Sequence, residues 1–129
     1  RPINGAHPFG WLDALAGVLH GATLDASAAG GRGFVSAVVP VEVMERYRVE
    51  EVDGVVDLLR TTSEADVAAV LKQVGPRRWS VSMRSRTVDV AAAAVGLGGG
   101  GHPRAAGVTL DGGPDEVLAR LCAALTPAG

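Results

Sequence analysis

The sequence has a single cysteine and only five aromatic residues, two Phe, two Trp and one Tyr, among 129. One cysteine, Cys122, excludes an intrachain disulfide framework and any cysteine-based zinc knuckle. It points to a reducing, cytoplasmic setting, in which Cys122 packs as a small buried hydrophobe. So few aromatics leave the packing to Val, Leu and Ala. Long apolar runs are also missing: no stretch approaches the ~20 residues that cross a bilayer. The N-terminus lacks the charged, apolar, small-residue order of a secretion signal, so a soluble intracellular protein with no membrane partner is expected. Neither sign of charge dominates. Twelve basic against fourteen acidic side chains leave −2, which removes the simplest electrostatic case for a nucleic-acid coat or a membrane-surface peptide. A local basic site stays open.

What is abundant is small: 21 alanines and 18 glycines put a methyl group or nothing at 39 of the 129 positions. With 47% hydrophobic and 20% charged residues the composition is globular. The length fits one domain, which at this size buries roughly two-thirds of its unfolded surface without a structural metal. The first residue is Arg1 rather than Met, as expected of a chain processed or cut from something longer.

Apolar residues Trp11, Leu15, Val18, Leu19 and Ala22 recur at helical spacing after Pro8 and predict an amphipathic helix over Phe9–Thr23. Asp25–Gly33 reads as a flexible connector. Phe34–Val39, branched and stopped by Pro40, reads as a strand. The acidic stretch Val41–Arg60 carries Val52, Val55, Val56 and Leu59 at i, i+3, i+4 and i+7, the inward stripe of a helix. Asp66–Val74 and Arg77–Arg86 are strands across a Gly75-Pro76 turn. In the second, Trp79, Val81 and Met83 take one face and Ser80, Ser82, Arg84 and Arg86 the other. Asp89 caps a short helix, Val90–Leu97, that glycines end. Ala105–Leu110 is a last strand. Gly113-Pro114-Asp115-Glu116 then opens a helix with Val117, Leu118, Leu121 and Leu125 inward. Helices alternating with strands predict an α/β fold: a single domain with a central mixed β-sheet flanked by helices, and a glycine-rich loop before the last strand.

The chemistry concentrates between Ser80 and Gly107, SVSMRSRTVDVAAAAVGLGGGGHPRAAG. Gly98–Gly101 offer backbone N–H groups with no side chains in the way, a surface suited to phosphate oxygens. A helical turn starting at His102-Pro103-Arg104 would add its free N–H groups and partial positive charge. Arg77 to Arg104 carries five arginines and one acid, a balance of +4, whereas Glu42 to Asp66 carries eight acids and three arginines, −5. The small net charge therefore hides a polarised chain whose positive segment coincides with the glycines. Arginine's planar fork suits a phosphate. Each item also has a plain explanation. A glycine run alone is more often a mobile loop, and this one matches neither the P-loop with its following Lys nor a dinucleotide fingerprint. Arg84 alone is an ordinary solvated strand residue. His7 and His20 have no partner at metal-ligand spacing, and Ser82 and Ser85 have no evident base. Trp11 and Trp79 read as packing residues, although either could border a base-stacking surface.

Taken together, Ser82-Met83-Arg84-Ser85, a short helix, then Gly98-Gly99-Gly100-Gly101-His102-Pro103 and Ala105-Ala106-Gly107 resemble the associated C-terminal domain of the DHH phosphoesterase superfamily. The stretch Glu51-Val52-Asp53-Gly54-Val55-Val56-Asp57 resembles the NrnA-type subgroup, which acts as oligoribonuclease and as phosphatase of 3′-phosphoadenosine 5′-phosphate. The resemblance implies a two-domain cytoplasmic enzyme in which an N-terminal domain holds two Mn²⁺ ions with Asp and His ligands while the C-terminal domain clamps the nucleotide. No Asp-His-His occurs in this chain. Residues 1–25 are then expected to be the end of the inter-domain linker with the leading helix, and 26–129 the substrate-binding domain. The metal-binding domain is expected to lie outside the chain, with Arg1 as a cut point. Carried over position by position, Arg84 and Ser85 resemble the contacts to a substrate phosphate, and Gly99, Gly100, Gly101 and His102 the loop over the nucleotide. Arg104, at a position the family leaves open, adds charge. No catalytic or metal-ligating residue is expected in this chain.

The function implied is the substrate-binding half of a Mn²⁺-dependent phosphodiesterase acting on very short RNA, nucleoside bisphosphates, or linear and cyclic dinucleotides. A related domain also occurs at the C-terminus of alanyl-tRNA synthetases, so an RNA-binding module without hydrolytic activity is a second reading. A non-binding oligomerisation domain is a third. The resemblance also allows a homodimer of the longer protein.

Overall fold

A computed structural model describes residues 6–127; the first five positions of the expected linker lie outside the described residues. Helix α1 (Phe9–His20) starts after Pro8, whose carbonyl accepts the Trp11 amide. It stops three residues short of the expected end because Thr23, Leu24 and Asp25 form strand β1 (Thr23–Asp25), antiparallel to β2 (Phe34–Val39). The segment read as a flexible connector is a structured turn. Asp25 Oδ1 accepts from Ser27 N and Oγ at 3.0 and 2.7 Å, and Ala29 is buried.

Strands β2 and β3 (Val67–Gly75) run parallel, which requires a long crossover. The acidic middle supplies it as α2 (Val41–Arg46) and α3 (Val49–Leu59). Then follow β4 (Arg78–Ser85), α4 (Val90–Gly96), β5 (Gly100–His102), β6 (Ala105–Asp111) and α5 (Pro114–Leu125). The sheet order is β1-β2-β3-β4-β6-β5, and every pair except β2 with β3 is antiparallel. The result is a single α/β domain with a mixed sheet between two layers of helices.

Each face of the sheet has its own core. On one, Val52, Val55, Val56 and Leu59 of α3, with Trp11 and Val18 of α1, pack on Val35, Ala37, Val39, Ala68 and Val70. On the other, Val90 and Ala94 of α4 and Val117, Leu121 and Leu125 of α5 pack on Leu71, Trp79, Val81, Met83, Val108 and Leu110. A fully buried Val or Leu is worth about 1.5–3 kcal/mol, so aliphatic packing suffices. Trp79 donates from Nε1 to Gly112 O at 2.9 Å, and Trp11 meets Tyr47 edge-on at a ring separation of 5.1 Å. Both tryptophans are buried, so neither borders a surface on which a base could stack. Cys122 packs half-buried against the α5 side of the core, and burial, followed by the Asp25 carboxylate, pushes its thiol up. Among the described residues no helix is long and apolar enough to cross a membrane.

One carboxylate ties the end of β4 to the start of β3. Asp66 accepts from the amides of Arg86, Thr87 and Val88 at 2.9–3.2 Å and from the Thr87 hydroxyl. Burial opposes ionisation more than any single contact favours it. The Thr87 bonds, joined by those from Val88 and Arg86, outweigh that opposition and hold the carboxyl at about 2. Because this lies below the unfolded value of about 3.9, the clamp contributes its full stability above that value and loses it as pH falls through about 2. Asp66→Ala is expected to lower stability by about 1–2 kcal/mol at neutral pH and to flatten the loss between pH 4 and 2. Urea unfolding across that range checks both.

Candidate functional site

Strand periodicity decides what the site contains. In β4, Trp79, Val81, Met83 and Ser85 point toward α4 and α5, and Ser80, Ser82 and Arg84 point to the other face. Helix α3 covers that second face over β3 and the near side of β4. The part formed by β4, β6 and β5 carries small side chains and is only partly buried.

Register lines up the residues on this open half-sheet. Arg84 pairs with Ala68 of β3 on one side and Ala105 of β6 on the other, and Ala105 pairs with His102 of β5. Arg84 and His102 therefore stand in one row two strand spacings apart, roughly 10 Å, with only the Ala105 methyl between them. The next row, Ser82, Gly107 and Gly100, continues the low floor. Arg84 is 26% exposed; it donates from Nη1 to Met83 O at 3.0 Å, and its Nε lies 3.7 Å from Asp57 Oδ1 on α3. One turn earlier on α3, Asp53 Oδ1 accepts from Lys72 Nζ at 3.0 Å, and Lys72 also donates to Ser82 Oγ at 2.9 Å. A nearly buried ammonium is thus neutralised beside the floor.

The structure brings together Arg84, Gly100 and His102 on this face. Ser85 goes elsewhere: it is buried on the opposite face, where its hydroxyl donates to Val88 O and lies 3.3 Å from Pro103 O. It pins the start of α4 and the β5–β6 turn, so its contribution to Arg84's position is indirect. Arg104 is exposed and donates from Nη1 to Val88 O at 2.8 Å, the carbonyl that Ser85 also uses. Pro103 and Arg104 form the hairpin turn between β5 and β6, which replaces the expected helical turn and removes its dipole. The short β5–β6 pairing leaves no room for a helix there.

Two of the four glycines have a packing reason. A Cβ on Gly99 would lie 2.2 Å from Gly107 O, and one on Gly101, at φ +143°, would lie 2.5 Å from Ala106 Cα. Both let β5 lie hard against β6. A Cβ on Gly100 would meet nothing within 4 Å, so its absence keeps the floor low. The arginines do not gather as the charge balance suggested. Arg77 and Arg78 pair with Glu116 and Asp111, and Arg86 donates to the carbonyls of Arg60 and Thr62. Arg84 is the one of the five whose backbone position on the open face is in register with Ala105.

Asp53, Asp57, Lys72 and Ser82 escaped the sequence reading as site neighbours. Their signal was present: Asp53 and Asp57 lie at i and i+4 beside the apolar stripe of α3, and Ser82 shares Arg84's face by alternation. His7 has a partner that spacing alone could not reveal, Glu51, whose buried Oε2 lies 3.5 Å from Nδ1. Among the described residues no three His, Cys, Asp or Glu side chains converge where a metal ion could sit. A cleft of about 540 Å³ between α1 and α2 is lined by Asp13, Glu42, Arg46 and Tyr47 but by none of Arg84, Gly100 or His102.

The α/β domain thus leaves half of one sheet face open, with Arg84 at its inner margin and no closed pocket around it. The chain belongs to the DHHA1 domain family, the DHH-associated domain, whose model matches residues 30–126. In structure it is similar to an exopolyphosphatase-related protein from Bacteroides fragilis, with a TM-score of 0.76 and 18% identity over 93% of this chain. It also matches a pGpG-specific phosphodiesterase from Vibrio cholerae, with a TM-score of 0.46 and 10% identity over 71% of this chain. The chain spans about a third of either protein, 35% and 32%.

The glycines give a contrast that unfolding can read. Gly99→Ala is expected to destabilise the domain by about 1–3 kcal/mol, because a backbone oxygen must move to admit the methyl group. Gly100→Ala is expected to stay within about 0.5 kcal/mol of wild type. Thermal or urea unfolding of the two variants checks the difference.

Proposed function

We propose that the chain is the substrate-binding half of a DHH-family phosphodiesterase. It holds a phosphate of a very short oligoribonucleotide, a nucleoside bisphosphate such as 3′-phosphoadenosine 5′-phosphate, or a linear or cyclic dinucleotide. The observation that carries this reading is the row Arg84, Ala105, His102, in which an arginine and a histidine stand at backbone positions about 10 Å apart beside the row Ser82, Gly107 and Gly100. Family membership supports it.

Within this reading Arg84 grips a phosphate oxygen pair, where a charge-assisted fork is about twice as strong as a neutral hydrogen bond. His102, exposed at the sheet edge, closes the far side, and the backbone of Gly100 and Gly101 lies under the sugar-phosphate. Within the same reading the hydrolytic chemistry belongs to a partner, a preceding DHH domain carrying Mn²⁺; that no three His, Cys, Asp or Glu side chains converge among the described residues is consistent with this. This domain's share is to position the ligand.

Nitrogen–proton NMR titration with adenosine 5′-monophosphate and 3′-phosphoadenosine 5′-phosphate tests the reading. Shifts are expected at residues 82–84 and 100–107, with no hydrolysis in the presence of Mn²⁺. Arg84→Ala is expected to weaken binding by about 10- to 100-fold, the loss of one charged hydrogen-bonding group, and His102→Ala by a smaller factor. A response to folded tRNA alone would favour the RNA-binding module instead. Binding of neither nucleotide would leave the oligomerisation domain, binding untouched by both substitutions would move the phosphate site away from Arg84 and His102, and Mn²⁺-dependent turnover by the chain itself would overturn the division of labour.

A further inference from the structure

Arg84 can fork a phosphate along either of two edges, Nε with Nη2 or Nη1 with Nη2. Nη1 already donates to Met83 O, which leaves the Nε edge as the better fork. That edge is the one facing Asp57 Oδ1, at 3.7 Å. The contact is an ion pair without a hydrogen bond, and the Asp57 side chain is 58% exposed. It is held by charge alone. Asp53 differs, because it is hydrogen-bonded to a Lys72 whose side chain is only 11% exposed. Two aspartates four residues apart on α3 thus have separate tasks: Asp53 neutralises a buried ammonium for good, and Asp57 sits over the guanidinium edge that a ligand would need.

We propose that Asp57 is an internal competitor for Arg84. It neutralises the guanidinium while the site is free and gives way to the phosphate of a nucleotide. The consequence is a site whose affinity is held below what its arginine could supply, and lower affinity is mostly faster release. The proposal rests on Arg84 being the phosphate contact, as set out above.

Asp57→Asn removes the charge while keeping the shape and one acceptor oxygen, on a side chain exposed enough for folding to be unaffected. Inorganic phosphate and adenosine 5′-monophosphate are titrated separately into the wild-type chain and the variant, following the amides of β4 and β6. Both ligands are expected to bind the variant roughly two- to fivefold more tightly, the range set by an exposed ion pair. Anything less than a gain for both overturns the proposal; a gain for phosphate with a loss for the nucleotide would make Asp57 an acceptor for sugar hydroxyls. Arg84→Gln, measured in parallel, separates this from the reading beneath it. Phosphate binding that survives Arg84→Gln, or is absent from wild type, removes both. Loss in Arg84→Gln without gain in Asp57→Asn removes the competitor alone.

Discussion

Everything at the candidate site depends on the two-residue period of β4. A strand pinned between β3 and β6 by ladders on both sides cannot rotate, so burying Trp79, Val81 and Met83 commits Ser80, Ser82 and Arg84 to the opposite face. A slip of one residue would bury a guanidinium under α4 and α5 and expose three large apolar side chains. The hydrophobic core therefore aims Arg84, and it does so with energies far larger than any ligand contact. Asp66 completes the restraint by fastening the three residues after β4 back to the start of β3, so the strand ends in a defined place.

That dependence explains which parts were legible in the sequence. Periodicity carries the stripes of α3 and β4, and both are found where alternation and helical spacing put them. Proline and glycine mark the starts of α5 and the β3–β4 turn. What could not be read is pairing between distant segments. Thr23-Leu24-Asp25 has no strand pattern of its own and becomes β1 only because the edge of β2 needs a partner. Ser85 looked like a phosphate contact through its neighbour Arg84, but adjacent residues on a strand face opposite ways, and its hydroxyl is consumed by Val88 and Pro103.

Charge was misleading for a related reason. A balance of +4 over residues 77–104 describes a segment, whereas a field is made in space, where the acidic crossover lies across β3 and β4. Arg84 meets Asp57, Arg77 meets Glu116, and Arg78 meets Asp111, so most of the segment's charge is spent locally. The glycine run is likewise not one object. Gly99 and Gly101 are required by the close approach of β5 to β6, whereas a side chain at Gly98 or Gly100 would face open space.

The openness of the half-sheet is itself a consequence of composition. A sheet face left without helices normally exposes branched apolar side chains and becomes an adhesive surface. Here the floor is Ser80, Ser82, Ala105, Gly107 and Thr109, which offer little apolar area to hide, so the face is stable against water without a covering layer. The same choice shapes what can lie on it. A floor with almost no hydrophobic drive cannot hold a ligand by burial, so in the proposed function orientation falls to Arg84, His102 and the backbone between them. A partner that docks there must bring its own charge and hydrogen-bonding groups, as a phosphate ester does and an apolar peptide does not.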